Sequence, residues 1–253
     1  MFNFLKKLGP GILFAGAAIG VSHLVQSTKA GADFGFGLVW ALLLVNLFKF
    51  PFFQYGPKYA NATGESLLEG YKKLGANILY FYVIISLATM FTIQTAVTIV
   101  TAGIASSLTN NIISVEQWTI IILIVCSVLL YFGKYKMLDK MIKIVISILA
   151  LSTILATCLA FNNFSYDFNL SQVLPKNNIE IAFLIAFMGW MPAPLDISVW
   201  HSIWTIEKNK SDGIQEMKTT LFDFNIGYFG TIILGISFVL LGYFVMNGSN
   251  LSF

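Results

Sequence analysis

Apolar residues run in long stretches through this chain, separated by short polar segments. A helix needs about 20 apolar residues to cross a bilayer. Seven stretches meet that length: 9–28, 36–55, 77–104, 116–133, 141–161, 180–205 and 220–246. No extended alternating pattern competes with them, so the pattern predicts an all-α polytopic membrane protein. Two of the stretches carry helix-breaking residues near their middles. The first holds Gly16-Ala17-Ala18-Ile19-Gly20-Val21-Ser22-His23, and the sixth holds Met191-Pro192-Ala193-Pro194-Leu195-Asp196. Unwound backbone at membrane depth loses hydrogen bonds that lipid does not replace. It persists where it is buried in protein or lines a cavity, and a pair of such breaks points to a transporter's binding site.

Composition sharpens the class. Of 253 residues, 57% are hydrophobic and 11% are charged, against about 25% charged in a soluble domain. All fifteen basic residues are Lys, which argues against a nucleic-acid surface. Cys126 and Cys158 sit in apolar runs as small hydrophobes, and no Cys/His cluster suggests a zinc site. The N-terminal Lys6-Lys7 and the apolar run behind it mimic a signal peptide, but the apolar pattern continues to Val25.

Lysine placement orients the spans. With the N-terminus inside, Lys6, Lys7, Lys58, Lys72, Lys73, Lys134, Lys136, Lys140, Lys208, Lys210 and Lys218 fall on or near the cytoplasmic side, and Lys29 and Lys176 fall opposite. That is the orientation expected in an inner or plasma membrane. Asn-x-Ser triplets at Asn163 and Asn247 then lie outside, although such triplets arise often by chance. Lys49 is read as snorkelling from the second span toward the inner surface.

The two breaks are expected at one depth. Gly20 comes about 18 Å along the first span, and Met191 to Asp196 is reached after a similar distance along the oppositely directed sixth. Freed carbonyls there suit cations and freed amides suit anions. His23 and Asp196 are the ionisable residues nearest the midplane in their spans, and such residues are functional candidates by default. His23 offers a neutral imidazole ligand or a proton carrier. Asp196 offers a hard anionic oxygen, Met191 a soft thioether that favours transition metals, and Ser22 and Gln26 neutral oxygens. The candidate substrate lining is therefore Gly20, Val21, Ser22, His23, Gln26, Ala193 and Pro194, with His23, Met191 and Asp196 as metal ligands. His201 is a candidate proton relay, with Thr95 and Thr98 of the third span on a shared face.

Plainer readings stand beside these. Gly16-x-x-x-Gly20 fits a close helix-packing motif. His23 is equally a hydrogen-bonded packing residue, Met191 a packing side chain, and His201 an interfacial residue beside Trp200 and Trp204. The threonines equally serve as helix–helix hydrogen-bonding groups. Asp196 is harder to absorb structurally, since a charge at a helix centre costs about 2.5–3.5 kcal/mol on insertion scales. Ser22, His23 and Asp196 contain the residue types of nucleophilic catalysis. However, adjacent Ser22 and His23 point apart on a helix and no Gly-x-Ser-x-Gly elbow exists, so the chain is not expected to be an enzyme.

Several motifs carry a family resemblance. Gly9-Pro10-Gly11 opens the first span, and Ala30-Gly31-Ala32-Asp33-Phe34-Gly35-Phe36 follows it. Trp40 lies in a Leu-rich second span, and Tyr59-Ala60-Asn61-Ala62-Thr63-Gly64-Glu65-Ser66-Leu67 follows that. With Met191-Pro192 and His201-Ser202, the chain resembles the NRAMP family of divalent metal-ion transporters along essentially its whole length. The resemblance implies a LeuT-type fold of two inverted five-helix repeats, with a manganese- or iron-class ion bound between broken helices one and six and usually moved with protons. It implies a first repeat at 1–165 and an incomplete second at 176–253, within one transmembrane domain 1–253. Seven spans where the fold has ten imply a truncated chain. No cofactor is implied, because the metal ion is the transported substrate; the oligomeric state stays open.

The resemblance also marks departures. The family's first-helix motif Asp-Pro-Gly-Asn is Gly20-Val21-Ser22-His23 here, so the metal-binding Asp is Gly20 and the Asn is His23. The sixth-helix motif Met-Pro-His-Asn is Met191-Pro192-Ala193-Pro194, or, in a register anchored on His201-Ser202, places Asp196 at the motif's His. Thr95 and Thr98 replace the usual acids of the third helix. These departures leave two alternatives to metal transport. One is an amino-acid or other organic solute carrier on the same fold; the other is a non-transporting membrane protein.

Overall fold

The computed structural model describes residues 8–133, 135–162 and 170–247. Lys6, Lys7, Lys134 and the Asn163 triplet lie outside these residues, as does the remainder of the Asn247 triplet. The described residues are mostly helical, without strands, as the apolar periodicity predicts. The first span is α1 (Pro10–Ala18), a π-wound segment Ile19–Ser27, and α2 (Thr28–Phe34). The second is α3 (Val39–Thr63), and a short α4 (Leu67–Leu74) follows it. The third, fourth and fifth spans are α5 (Ala76–Leu108), α6 (Val115–Phe132) and α7 (Tyr135–Asn162). The sixth is split into α8 (Asn178–Trp190) and α9 (Ile197–Asp212), and the seventh is α10 (Met217–Val245).

Local chemistry sets the ends. Ser114 and Gln117 form a reciprocal capping box at the start of α6. Asn177 accepts from the Glu180 amide at 2.8 Å and opens α8. Gly64 closes α3 at φ 73°, a left-handed conformation that glycine adopts without steric cost. Among the described residues, four helices are individually long and apolar enough to cross a membrane, and a fifth crossing follows if the bent first span counts as one. Many apolar side chains stay on the surface: Phe48 and Phe52 of α3, Ile84 and Phe91 of α5, and Leu130 of α6 are all more than 60% exposed. Apolar exposure of this extent within each unit matches a lipid solvent.

The described chain divides into two compact units, Met1–Leu67 with Met141–Phe253, and Leu68–Lys140. This division cuts the chain differently from the two sequence repeats. The first unit carries both breaks. Within it α10 packs along the first span from α1 through the π segment to α2, and α3 packs on α8, α9 and α10. Glycines set the close approach of α10 to the first span. A Cβ on Gly227 would collide with the Gly11 backbone, and a Cβ on Gly242 with that of Thr28. Such small-residue seams let helix backbones touch where lipid supplies no hydrophobic drive for association. The expected Gly16-x-x-x-Gly20 motif does not act as one seam. Gly16 faces Ile142 and Ile146 of α7, whereas a Cβ placed on Gly20 would have no described atom within 4 Å beyond its own chain neighbours and turn.

Candidate functional site

The first break is set by Gly20. Its φ of −62° and ψ of −133° leave the helical region, and the helical pieces on either side meet at 47°. The bend frees the Ala18 carbonyl, and the chain's own side chains take it up. His23 Nδ1 donates to Ala18 O at 2.8 Å, and the Ser22 hydroxyl donates to the same oxygen. A carbonyl only accepts, so the imidazole proton belongs on Nδ1 and Nε2 keeps its lone pair. His23 is 1% exposed. Its Nε2 makes no hydrogen bond among the described residues and faces α10, where a Cβ on Gly235 would lie 3.3 Å away. Gln26 Oε1 is likewise buried without a partner among them. Val21 occupies the same turn, but its side chain lies outside the described set.

The second break begins where α8 ends. Met191 is extended (φ −81°, ψ 141°), the Met191–Pro192 peptide is cis, and the helix resumes at Ile197 after Asp196. Pro192 and Pro194 supply no amide hydrogen to carry the helix through. Asp196 is half-buried at the N-cap of α9 and makes no capping bond with its side chain. Its charge therefore sits at the positive end of a helix dipole.

Lys49 completes this second break. Its Nζ donates to the carbonyls of Met188 at 3.0 Å, Gly189 at 2.8 Å and Met191 at 2.7 Å. It does not snorkel to the inner surface. The end of α8 concentrates unpartnered carbonyls and the negative end of its dipole, and this outcompetes the water interface for the ammonium. The intramembrane charge in an otherwise apolar run was the available sequence signal for such a role.

The two breaks come together. Ala18 from the first and Ala193 from the second lie in one buried cluster with Phe14, Phe53, Ile197, Phe224 and Tyr228. Pro194 is half-buried at its margin of the break. The Met191 side chain is fully buried, in a different cluster with Leu38, Leu42, Phe187 and Val239. His201 is 1% exposed, so it is a core residue and not an interfacial one. Its ring packs on Phe14 at 5.8 Å and Phe224 at 5.6 Å, and neither nitrogen has a partner among the described residues. Thr95 and Thr98 belong to the other compact unit. Thr98 is buried, donates to the Gln94 backbone carbonyl at 2.7 Å and accepts from the Gln94 side-chain Nε2 at 3.0 Å, so its hydroxyl is used within its own helix. No group of three or more His, Cys, Asp or Glu able to hold a metal ion occurs among the described residues.

Asp223 was not anticipated. It lies on α10 at 4% exposure, and its two carboxylate oxygens accept the amides of Gly9 at 2.9 Å and Gly11 at 2.8 Å. Lys208 Nζ reaches the Leu8 carbonyl at 3.3 Å beside it. An acidic residue in the opening turns of the seventh apolar stretch was again the available signal.

Two broken spans meeting in a buried core, inside an apolar helical exterior, define an integral membrane protein of broken-helix architecture. The chain belongs to the Nramp family: the family model for natural resistance-associated macrophage protein-like sequences matches residues 11–249. The chain is also 34% identical over 247 residues to an "Uncharacterized protein PM0681" of Pasteurella multocida (strain Pm70). That match covers 96% of this chain and 57% of the relative, so the chain spans little more than half of its relative's length. Nramp proteins are membrane transporters of divalent metal ions, not enzymes, and their fold is the LeuT type.

Proposed function

We propose that this chain is part of a secondary transporter that moves its substrate by alternating access around the gap between the first and sixth spans. The observation that carries this reading is the shared buried cluster joining Ala18 and Ala193, the residues flanking the two breaks. Paired breaks at one site are expensive in lipid unless the freed backbone serves a binding site. Family membership favours a divalent metal cation as substrate. Asp196 then supplies the anionic oxygen, Met191 its thioether, and His23 the Nε2 lone pair. His201 is the proposed proton relay in this unit, and Thr95 and Thr98 are proposed proton-path residues within the other unit. The proposed setting is an inner or plasma membrane with a cytoplasmic N-terminus, and repeats at 1–165 and 176–253 are the proposed internal symmetry.

A specific observation favours a second reading, an amino-acid or other organic solute as substrate. Gly20 stands where the resemblance puts a carboxylate, and Lys49 already holds carbonyls of the second break. Uptake by the purified full-length protein in vesicles, with a panel of divalent metals and amino acids, separates the two. Manganese or iron uptake supports the first; amino-acid uptake alone supports the second. No uptake of either class would sink the transporter reading.

A further inference from the structure

The end of α8 has the form of a cation site. The Met188 and Gly189 carbonyls are among the last four of a helix and lack intrahelical partners, and Met191 adds a third from the extended turn. Oxygens at a half-helix C-terminus in a broken span are a usual ligand set for a free cation. Here a side chain fills it. An ammonium carries three N–H donors and no acceptor, and the three contacts, at 2.7 to 3.0 Å, use all of them. The reach is enforced from a separate span, since Lys49 is 139 residues or more from each acceptor and sits on α3, which packs against α8. The first break shows the same solution in smaller form, with His23 Nδ1 on the Ala18 carbonyl.

We propose that Lys49 is a tethered cation that permanently occupies the carbonyl site at the sixth-span break, and so determines which substrates the gap accepts. A metal ion cannot use the Met188, Gly189 and Met191 carbonyls while the ammonium is there. Charge repulsion from the fixed ammonium adds to this exclusion at short range. The substrate must therefore be held by other groups, or must displace Lys49. This deepens the transporter reading at the same site and rests on that reading only for its consequence on substrate choice.

The test is chemical rescue, read as melting temperature of the full-length protein in detergent. Lys49→Ala removes the cation and leaves three carbonyls empty. Its melting temperature is expected to fall by several degrees. Methylammonium, which has three N–H donors and fits the vacated space, is expected to restore much of the loss by binding the folded state. Tetramethylammonium at equal concentration has no N–H donor and is expected to restore none. Wild-type protein is expected to respond to neither. Lys49→Met keeps the apolar stem and serves if the Ala variant does not fold; it too must melt lower and recover with methylammonium. Either folded variant melting like wild type would overturn the proposal, as would equal responses of wild type and variant to methylammonium. Because melting is read without transport, a protein with no measurable uptake leaves this proposal standing. A destabilised variant that methylammonium does not rescue would overturn this proposal and leave the transporter reading standing.

Discussion

The carboxylate of Asp223 accepts the amide hydrogen of Gly11 at 2.8 Å, joining residues 212 positions apart. Its other oxygen takes the amide of Gly9. The pair caps the first turn of the first span from the side, in a place where Pro10 already occupies the first helical position. Negative charge at a helix N-terminus is favourable through the dipole as well as through the hydrogen bonds. The seventh span thus fixes the entry of the broken one.

Asp223→Asn tests that cap. The amide retains one acceptor oxygen but presents an NH2 group to the second N–H, which leaves two donors facing each other. The expected loss is about 2 kcal/mol, in line with a buried charge-assisted hydrogen bond. Denaturation in detergent measures it, and hydrogen exchange should show faster exchange at Gly11, Ile12 and Leu13. Unchanged exchange in that turn would exclude the capping role.

Gly227→Ala and Gly20→Ala form a contrasting pair. A methyl group on Gly227 meets the Gly11 backbone, which no rotamer change relieves. The expected cost is about 3 kcal/mol or more, up to failure of the fold. A methyl on Gly20 meets no described atom within 4 Å, so its effect on stability is expected to stay within about 1 kcal/mol. Expression yield and melting temperature compare them directly. A Gly20 variant as damaged as the Gly227 variant would show that the space beside the first break is not open.

His23→Ala removes the donor that Nδ1 offers to Ala18 and leaves a cavity beside Gly235. A loss of about 2–4 kcal/mol is expected from the lost hydrogen bond and the void together, with the Ser22 hydroxyl still on the Ala18 carbonyl. The loss is expected whether or not a metal ion is supplied. A melting temperature that matches wild type without metal and diverges only with added manganese would instead assign His23 to metal ligation alone.

Asp196→Asn separates function from folding. The side chain is half-buried and makes no capping bond, so stability should change by no more than about 0.5 kcal/mol. Substrate uptake should fall at least tenfold if the carboxylate faces the transported cation. Uptake equal to wild type in the folded variant would remove Asp196 from the site.

The sequence by itself determined the helical class, the placement of the spans and the positions of both breaks. Apolar length and the absence of alternation suffice for the first two, because in lipid the backbone must satisfy itself within a helix. Gly20 and the pair Pro192 and Pro194 suffice for the third, because their effect on the helix is local. Motif order also carried the family, which the match over residues 11–249 bears out. What each polar side chain does with its atoms was decided by tertiary structure. Lys49 reaches Met191 and Asp223 reaches Gly11 across packing that no local pattern encodes. His201, placed beside Trp200 and Trp204 in sequence, lies in the core against Phe14 and Phe224. A lone ionisable residue in an apolar stretch announces that it needs a partner, but spans distant in sequence supply that partner, and only their packing shows which carbonyl or amide it finds.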